Sequence, residues 1–292
     1  MKRSCPRKQS PFHTGVDKRS HMPNTESYIQ SLVLAQPLRA PVLRSAIAAL
    51  QLPTGSHGLD IGCGIGLPAL LLAEAVGPAG HVTGMDVSPP FLARAREIAT
   101  EAGLAARLSF QQGDMHRLPL DFEDDALDWV WSADCVGYAN PAPMALLQEL
   151  RRIIKPGGCV ALLIWSHQML LPGYPFLEAH LNATATGVAP FRAGMVPASH
   201  YLRALGWLGD AGFKALQARA FAGSVHAPLR DEIRDALADL FQMRWGTARS
   251  EVAPEDWTTY RRLCQPDSPD FILNLPDYYA FFNYSLFWGQ VV

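Results

Sequence analysis

Paired cysteines, dense blocks of one charge and long apolar runs are all scarce in this 292-residue sequence. The five cysteines, Cys5, Cys63, Cys135, Cys159 and Cys264, stand alone, without a CxxC pair. That excludes a disulfide ladder and a zinc ribbon; no metal site is expected, and reduced thiols suit a cytoplasmic setting. Lys and Arg number 25 against 27 Asp and Glu, and beyond the first twenty residues no basic cluster could track a phosphate backbone. Nucleic acid is therefore not the expected partner. The longest apolar runs, such as Cys159 to Trp165, fall far short of the roughly 18 residues of a membrane span.

What is present is enough apolar material, 49% of residues, for one sizeable core or a core with a cap. Residues 1–22 carry Lys2, Arg3, Arg7, Lys8, Lys18 and Arg19 among Ser, Pro and Gly, lack a secretory apolar run, and read as a disordered tail. An added leader, an upstream start codon with the natural chain beginning at Met22, or, with less support, a transit peptide would also explain them. Residues 23–57 read as helices that form part of a lid, interrupted by Pro37 and Pro41. Residues 58–166 read as the core, 167–197 as an insert, and 198–292 as the part completing the sheet, with a helical cap at about 228–270.

Within the core, strands ending at Ile61, Asp86, Gln112, Ala133 and Trp165 alternate with helices from Leu67 to Val76, Pro90 to Ala102 and Ala142 to Ile154. That alternation implies a parallel sheet covered on both faces. The run Lys155-Pro156-Gly157-Gly158 reads as a sharp turn into the fifth strand. A sixth strand, Ala215 to Phe221, helices Asp231 to Arg244 and Pro254 to Cys264, and a closing strand, Tyr278 to Trp288, follow. The expected fold is α/β and Rossmann-like: seven strands, mostly parallel, the last antiparallel at or next to an edge, with a helical cap.

The chemistry concentrates at strand ends. Asp60-Ile61-Gly62-Cys63-Gly64-Ile65-Gly66 sets three alternate glycines between a strand and a helix with Pro68 in its first turn. Glycine accepts positive φ and admits a flat ligand that a side chain would exclude, although a tight turn without a ligand needs the same residues. About twenty residues on, Asp86 ends the next strand, placed for ribose hydroxyls or for capping, a task that Ser88 already offers. After the third strand, Asp114 can accept from an adenine amino group while Met115 covers the ring.

These motifs, with the LPLDFEDDALDWVW run to Trp131 and the ELRRIIKPGG turn to Gly158, resemble the class I S-adenosylmethionine-dependent methyltransferases. The likeness is greatest to the small-molecule group that includes ubiquinone and menaquinone biosynthesis enzymes. The resemblance implies S-adenosyl-L-methionine as cofactor. It implies that Asp60, Gly62, Gly64 and Gly66 contact its methionine part, Asp86 its ribose, Asp114 and Met115 its adenine, and the chain around Ser132 its amino group, with Val87 also expected among the cofactor-binding residues. A nicotinamide-dependent oxidoreductase is a rival, since Gly64, Gly66 and Ala69 satisfy the dinucleotide fingerprint, but Asp60 would repel a pyrophosphate. A cofactor-binding regulatory protein without transfer activity is another. Asn140-Pro141-Ala142-Pro143 faintly resembles the signature of adenine methyltransferases but lacks the stacking aromatic, and helix capping by Asn140 accounts for it.

The expected reaction is direct in-line transfer to a small, apolar or aromatic acceptor at O, N or C. An oxygen or carbon acceptor calls for a base. Residues at the carboxyl edge of the strands are candidates: His167 first, Asp134 second, with Tyr138 and Cys135 nearby. Local packing or backbone hydrogen bonds explain His167 and Asp134 equally well. Outside the motifs, Tyr174, Phe176, Phe191, Trp245, Trp257 and Tyr260 would line an acceptor pocket, fill the core, or form the surface of a homodimer.

Overall fold

The computed structural model describes residues 25–137, 143–189, 191 and 194–292; Tyr138, Asn140, Pro141 and the tail at 1–22 lie outside them. Seven strands form one sheet: β1 (His57–Ile61), β2 (His81–Asp86), β3 (Leu108–Gln112), β4 (Leu127–Ala133), β5 (Ile154–Met169), β6 (Lys214–His226) and β7 (Tyr279–Gln290). Their order is β3-β2-β1-β4-β5-β7-β6. The strands β1 to β5 pair in parallel, and β7 runs antiparallel between β5 and the edge strand β6. The chain therefore reverses its strand order beside β1, where α/β sheets of this kind open a crevice at their carboxyl edge.

Alternation along the strands divides the core into two layers. Trp129, Trp131, Ala161 and Leu163 pack with α2 (Gln36–Leu50), α3 (Leu67–Val76), α4 (Pro89–Glu101) and the later helices α8 (Asp231–Trp245) and α9 (Pro254–Cys264). Leu59, Ile61, Val130, Val160 and Leu162 face α5 (Met144–Ile153) and α7 (Ala204–Asp210). The remaining helices are α1 (Thr25–Leu34) and α6 (Pro175–Asn182).

Several boundaries differ from the sequence expectation. Helix α2 runs through Pro41 instead of stopping there, with Pro37 in its first turn. It survives because Leu38, Val42, Leu43, Ala46 and Ile47 bury one face, and that burial outweighs one lost backbone hydrogen bond. Lys155 to Gly158 do not leave the sheet: β5 carries them as an irregularity opposite Leu127 to Trp129, with Gly157 at φ +82°. Beyond Trp165, β5 continues to Met169 across a second irregularity between Trp165 and His167. A helix read over Tyr201 to Ala211 from the sequence begins as a 3₁₀ turn, Tyr201–Arg203, ahead of α7.

Candidate cofactor and acceptor site

The site starts at the carboxyl end of β1. Gly62, Gly64 and Gly66 all have positive φ, at +76°, +54° and +78°, the left-handed region that disfavours residues with a Cβ. The reasons differ along the loop. A Cβ on Gly62 would lie 2.1 Å from Cys135 Sγ, whereas one on Gly64 would find nothing nearer than Leu32 Cδ1 at 3.9 Å. Gly62 is closed against the segment after β4, and Gly64 presents an open backbone surface.

Asp60 is 1% exposed, and neither carboxylate oxygen has a hydrogen-bond partner. Burial, with the neighbouring Asp86 charge second, pushes its carboxyl up to about 8. An orphaned buried acid costs stability unless a ligand donor answers it. Asp86 is engaged: one oxygen accepts from Gly64 N at 2.9 Å and the other from Ser88 N at 2.9 Å. It does not cap α4; the Ser88 hydroxyl does, accepting from Phe91 N at 3.5 Å. Val87 is 61% exposed.

Asp114 Oδ1 accepts from His116 N at 2.9 Å, and Met115 is half-buried. Ser132 is buried, its hydroxyl accepting from Val136 N at 3.0 Å. The side chain therefore shapes the chain end after β4, and any contact with a ligand must come from neighbouring backbone.

The glycine loop opens into a cavity of about 420 Å³. Tyr28, Ser31 and Leu32 of α1 and Ala236, Asp239, Leu240, Met243 and Arg244 of α8 line it at helical spacing. Tyr28 stacks on Phe91 with ring centres 5.8 Å apart. Asp134, at φ +51°, lines the same cavity. Its Oδ1 accepts from Trp165 N at 2.7 Å; its Oδ2 takes Arg39 Nη2 at 2.8 Å and the Tyr284 hydroxyl at 3.2 Å. Arg39 Nε donates to the same Tyr284 oxygen at 2.8 Å. Although burial opposes its charge, Tyr284 and Asp134 hold the Arg39 guanidinium above its ordinary value, while burial pushes the Tyr284 phenol up. This group ties α2 to the ends of β4 and β7. Arg39→Met is expected to lower stability by about 1–3 kcal/mol in urea unfolding, because the half-buried Asp134 carboxylate loses its charged hydrogen-bond partner. Asp134→Asn added to it should cost little more, since the lost pair is shared.

His167 does not join this cluster. It is exposed, tilted against Phe281, and lines a second cavity of about 410 Å³ that meets the first at Trp165, Ala189 and Arg244. Burial pushes the Cys135 thiol up to about 12, which leaves it a packing residue. Of the aromatics expected around an acceptor, Trp245 and Tyr260 are core, Tyr174 and Trp257 pack against it, Phe176 is 80% exposed, and Phe191 borders the second cavity. Arg39, Tyr284 and Arg244 have no motif to announce them. Arg39 leaves one trace, as a charged residue between the buried Leu38 and Val42.

A sheet of this order, a glycine loop after β1 and acidic residues ending β1 and β2 define the class I methyltransferase fold. Residues 59–158 match the family model described as a methyltransferase domain. Over 132 residues the chain is 34% identical to a demethylmenaquinone methyltransferase of Listeria welshimeri, covering 45% of this chain and 53% of that protein. Over 111 residues it is 35% identical to a sterol 24-C-methyltransferase of Gibberella zeae, covering 38% and 28%. The chain thus spans about half, or less, of these relatives' lengths. Among solved structures, a Haloferax volcanii complex of the Trm112 methyltransferase activator and a putative methyltransferase matches at TM-score 0.55 and 19% identity, covering 91% of this chain and 93% of that one. Residues 59–158 thus carry the methyltransferase domain that the family model describes, within a sheet of the class I methyltransferase fold.

Proposed function

We propose that the chain transfers the methyl group of S-adenosylmethionine to a small apolar or aromatic acceptor. The observation that carries this reading is the continuity of the site: the glycine loop and an apolar-walled compartment of Leu38, Trp165, Leu240 and Met243 belong to one cavity. The orphaned Asp60 carboxylate and the open face of Gly64 suit the cofactor. Asp60 and the glycines would hold the methionine part, Asp86 and Val87 the ribose, Asp114 and Met115 the adenine, and the backbone around Ser132 the amino group.

Bound, the cofactor supplies an electrophilic methyl group on a sulfonium. The chain's own task would be to fix the acceptor in line with that methyl and to exclude water, and residues of α1, α2 and α8 line the cavity into which the loop opens. The named acceptors of the relatives, a sterol and demethylmenaquinone, support an apolar acceptor. If the acceptor must lose a proton, Asp134 and Tyr284 stand in the same cavity, and His167 serves only an acceptor that reaches the second one.

Calorimetric titration with S-adenosylmethionine and its demethylated product tests the cradle. Binding should weaken roughly 10- to 100-fold in Asp86→Ala, which removes a charged hydrogen-bond acceptor. Equal affinity in that variant, or preference for a nicotinamide cofactor, overturns the reading. Labelled cofactor with cell extract then separates an enzyme, which yields a labelled small product, from a regulatory binder.

A further inference from the structure

Among the described residues, the acceptor compartment contains a cation that takes part in no ion pair, Arg244. Arg244 lines both cavities at their junction. Its Nε donates to Gln168 Oε1 at 3.0 Å, and its guanidinium carbon sits 5.6 Å from the centre of the Trp165 ring. Among the described residues it forms no ion pair, and neither of its Nη groups donates a hydrogen bond.

The carboxylates that line the two cavities have hydrogen-bond partners of their own. Asp134 is held by Arg39, Tyr284 and Trp165 N. Glu178, 1% exposed, accepts from Leu170 N and Leu171 N. Asp239, the acid that α8 turns into the first cavity, accepts from the Ser31 hydroxyl at 3.1 Å.

The guanidinium is also fixed in place. Gln168 Oε1 accepts from Trp165 Nε1 at 3.0 Å as well, and Gln168 Nε2 donates to Asn182 Oδ1, which also accepts from Trp245 Nε1. A chain of side-chain hydrogen bonds thus orients an arginine fork whose outer edge is unspent. A planar fork of this kind matches a carboxylate or sulfonate in two parallel hydrogen bonds.

We propose that Arg244 is the specificity element for the acceptor, and that the acceptor is an apolar molecule carrying an acidic group, bound with that group at the junction of the two cavities. The inference rests on the methyltransferase reading only for the word acceptor; the anion site itself does not depend on it. Trp165 beneath the guanidinium and Leu240 and Met243 on the same wall would take the apolar body.

The test uses two fluorescent probes with one aryl framework: 8-anilinonaphthalene-1-sulfonate, which is anionic, and N-phenyl-1-naphthylamine, which is neutral. The full-length protein should prefer the sulfonate. Arg244→Met, which keeps the stem over Trp165, should lose roughly 10- to 100-fold in sulfonate affinity and change little for the neutral probe. Arg244→Lys should fall between, because charge remains without the fork. Equal loss of both probes would mean that Arg244 only supports the wall, and no preference for the sulfonate in the unmodified protein would also overturn the proposal. S-adenosylmethionine is titrated into the same samples. Failure to bind it refutes the methyltransferase reading and leaves the probe result standing.

Discussion

Gly62→Ala is expected to lower stability by about 2–5 kcal/mol and to abolish measurable cofactor binding. Two costs add. An alanine at φ +76° sits in a region that costs a residue with a Cβ about 1–2 kcal/mol. The new methyl would lie 2.1 Å from Cys135 Sγ and 2.7 Å from Cys135 Cβ, so the loop and the segment after β4 must separate. Overpacking of that kind adds about 1–3 kcal/mol and displaces the cradle. Thermal unfolding and calorimetric titration read the two effects.

The neighbouring glycine supplies the control. Gly64→Ala, at φ +54° with no atom within 3.9 Å of the new methyl, should lose only about 1 kcal/mol of stability. Its cofactor affinity should nevertheless fall tenfold or more, because the methyl occupies the surface on which the ligand would lie. Full affinity in Gly64→Ala would show that nothing binds there.

The division of labour between these glycines marks where sequence reading works and where it stops. The alternation from β1 to β5 was legible because each strand is a short apolar run bounded by turn residues, and the motifs sit at strand ends. The register after Trp165 was not: an irregularity between Trp165 and His167 breaks the two-residue period, so β5 reads as ended four residues early. That slip leaves His167 bordering the second cavity instead of the first. Pro41 misled for a different reason, since burial of a helix face is a tertiary effect that propensity cannot register. The Arg39–Asp134–Tyr284 group joins residues 95 and 150 positions apart, and Arg244 meets Gln168 across 76. No local spacing encodes such meetings, so a capping aspartate and a catalytic one look alike until the fold brings their partners in. Asp60 is the opposite case, since its motif is local and its isolation is visible only in three dimensions.

That isolation gives the second large effect, in the pH dependence of Asp60. Its carboxyl stands at about 8 in the folded chain, against an ordinary value of 3.8, through burial and then the Asp86 charge. Between about pH 4 and pH 8 the folded chain retains a proton that the unfolded chain releases. Stability must therefore fall as pH rises through that window and level off above it. Asp60→Asn removes the titration, and should flatten the profile and be more stable than the unmodified protein at pH 8 by on the order of 5 kcal/mol. Cofactor binding should move the opposite way. If a cofactor ammonium meets this carboxylate, binding favours the ionised form and expels the proton. Affinity should then rise by up to about tenfold per pH unit from pH 5.5 to 7, where an α-amino group stays charged. Calorimetry in buffers of different ionisation enthalpy would count close to one proton released, and Asp60→Asn should bind more weakly and without that pH dependence. A pH-independent affinity with no proton release would separate Asp60 from the cofactor. A flat stability profile in the unmodified protein would show instead that water reaches the carboxylate, and with it that the orphaned acid is not what holds this site ready for a cation.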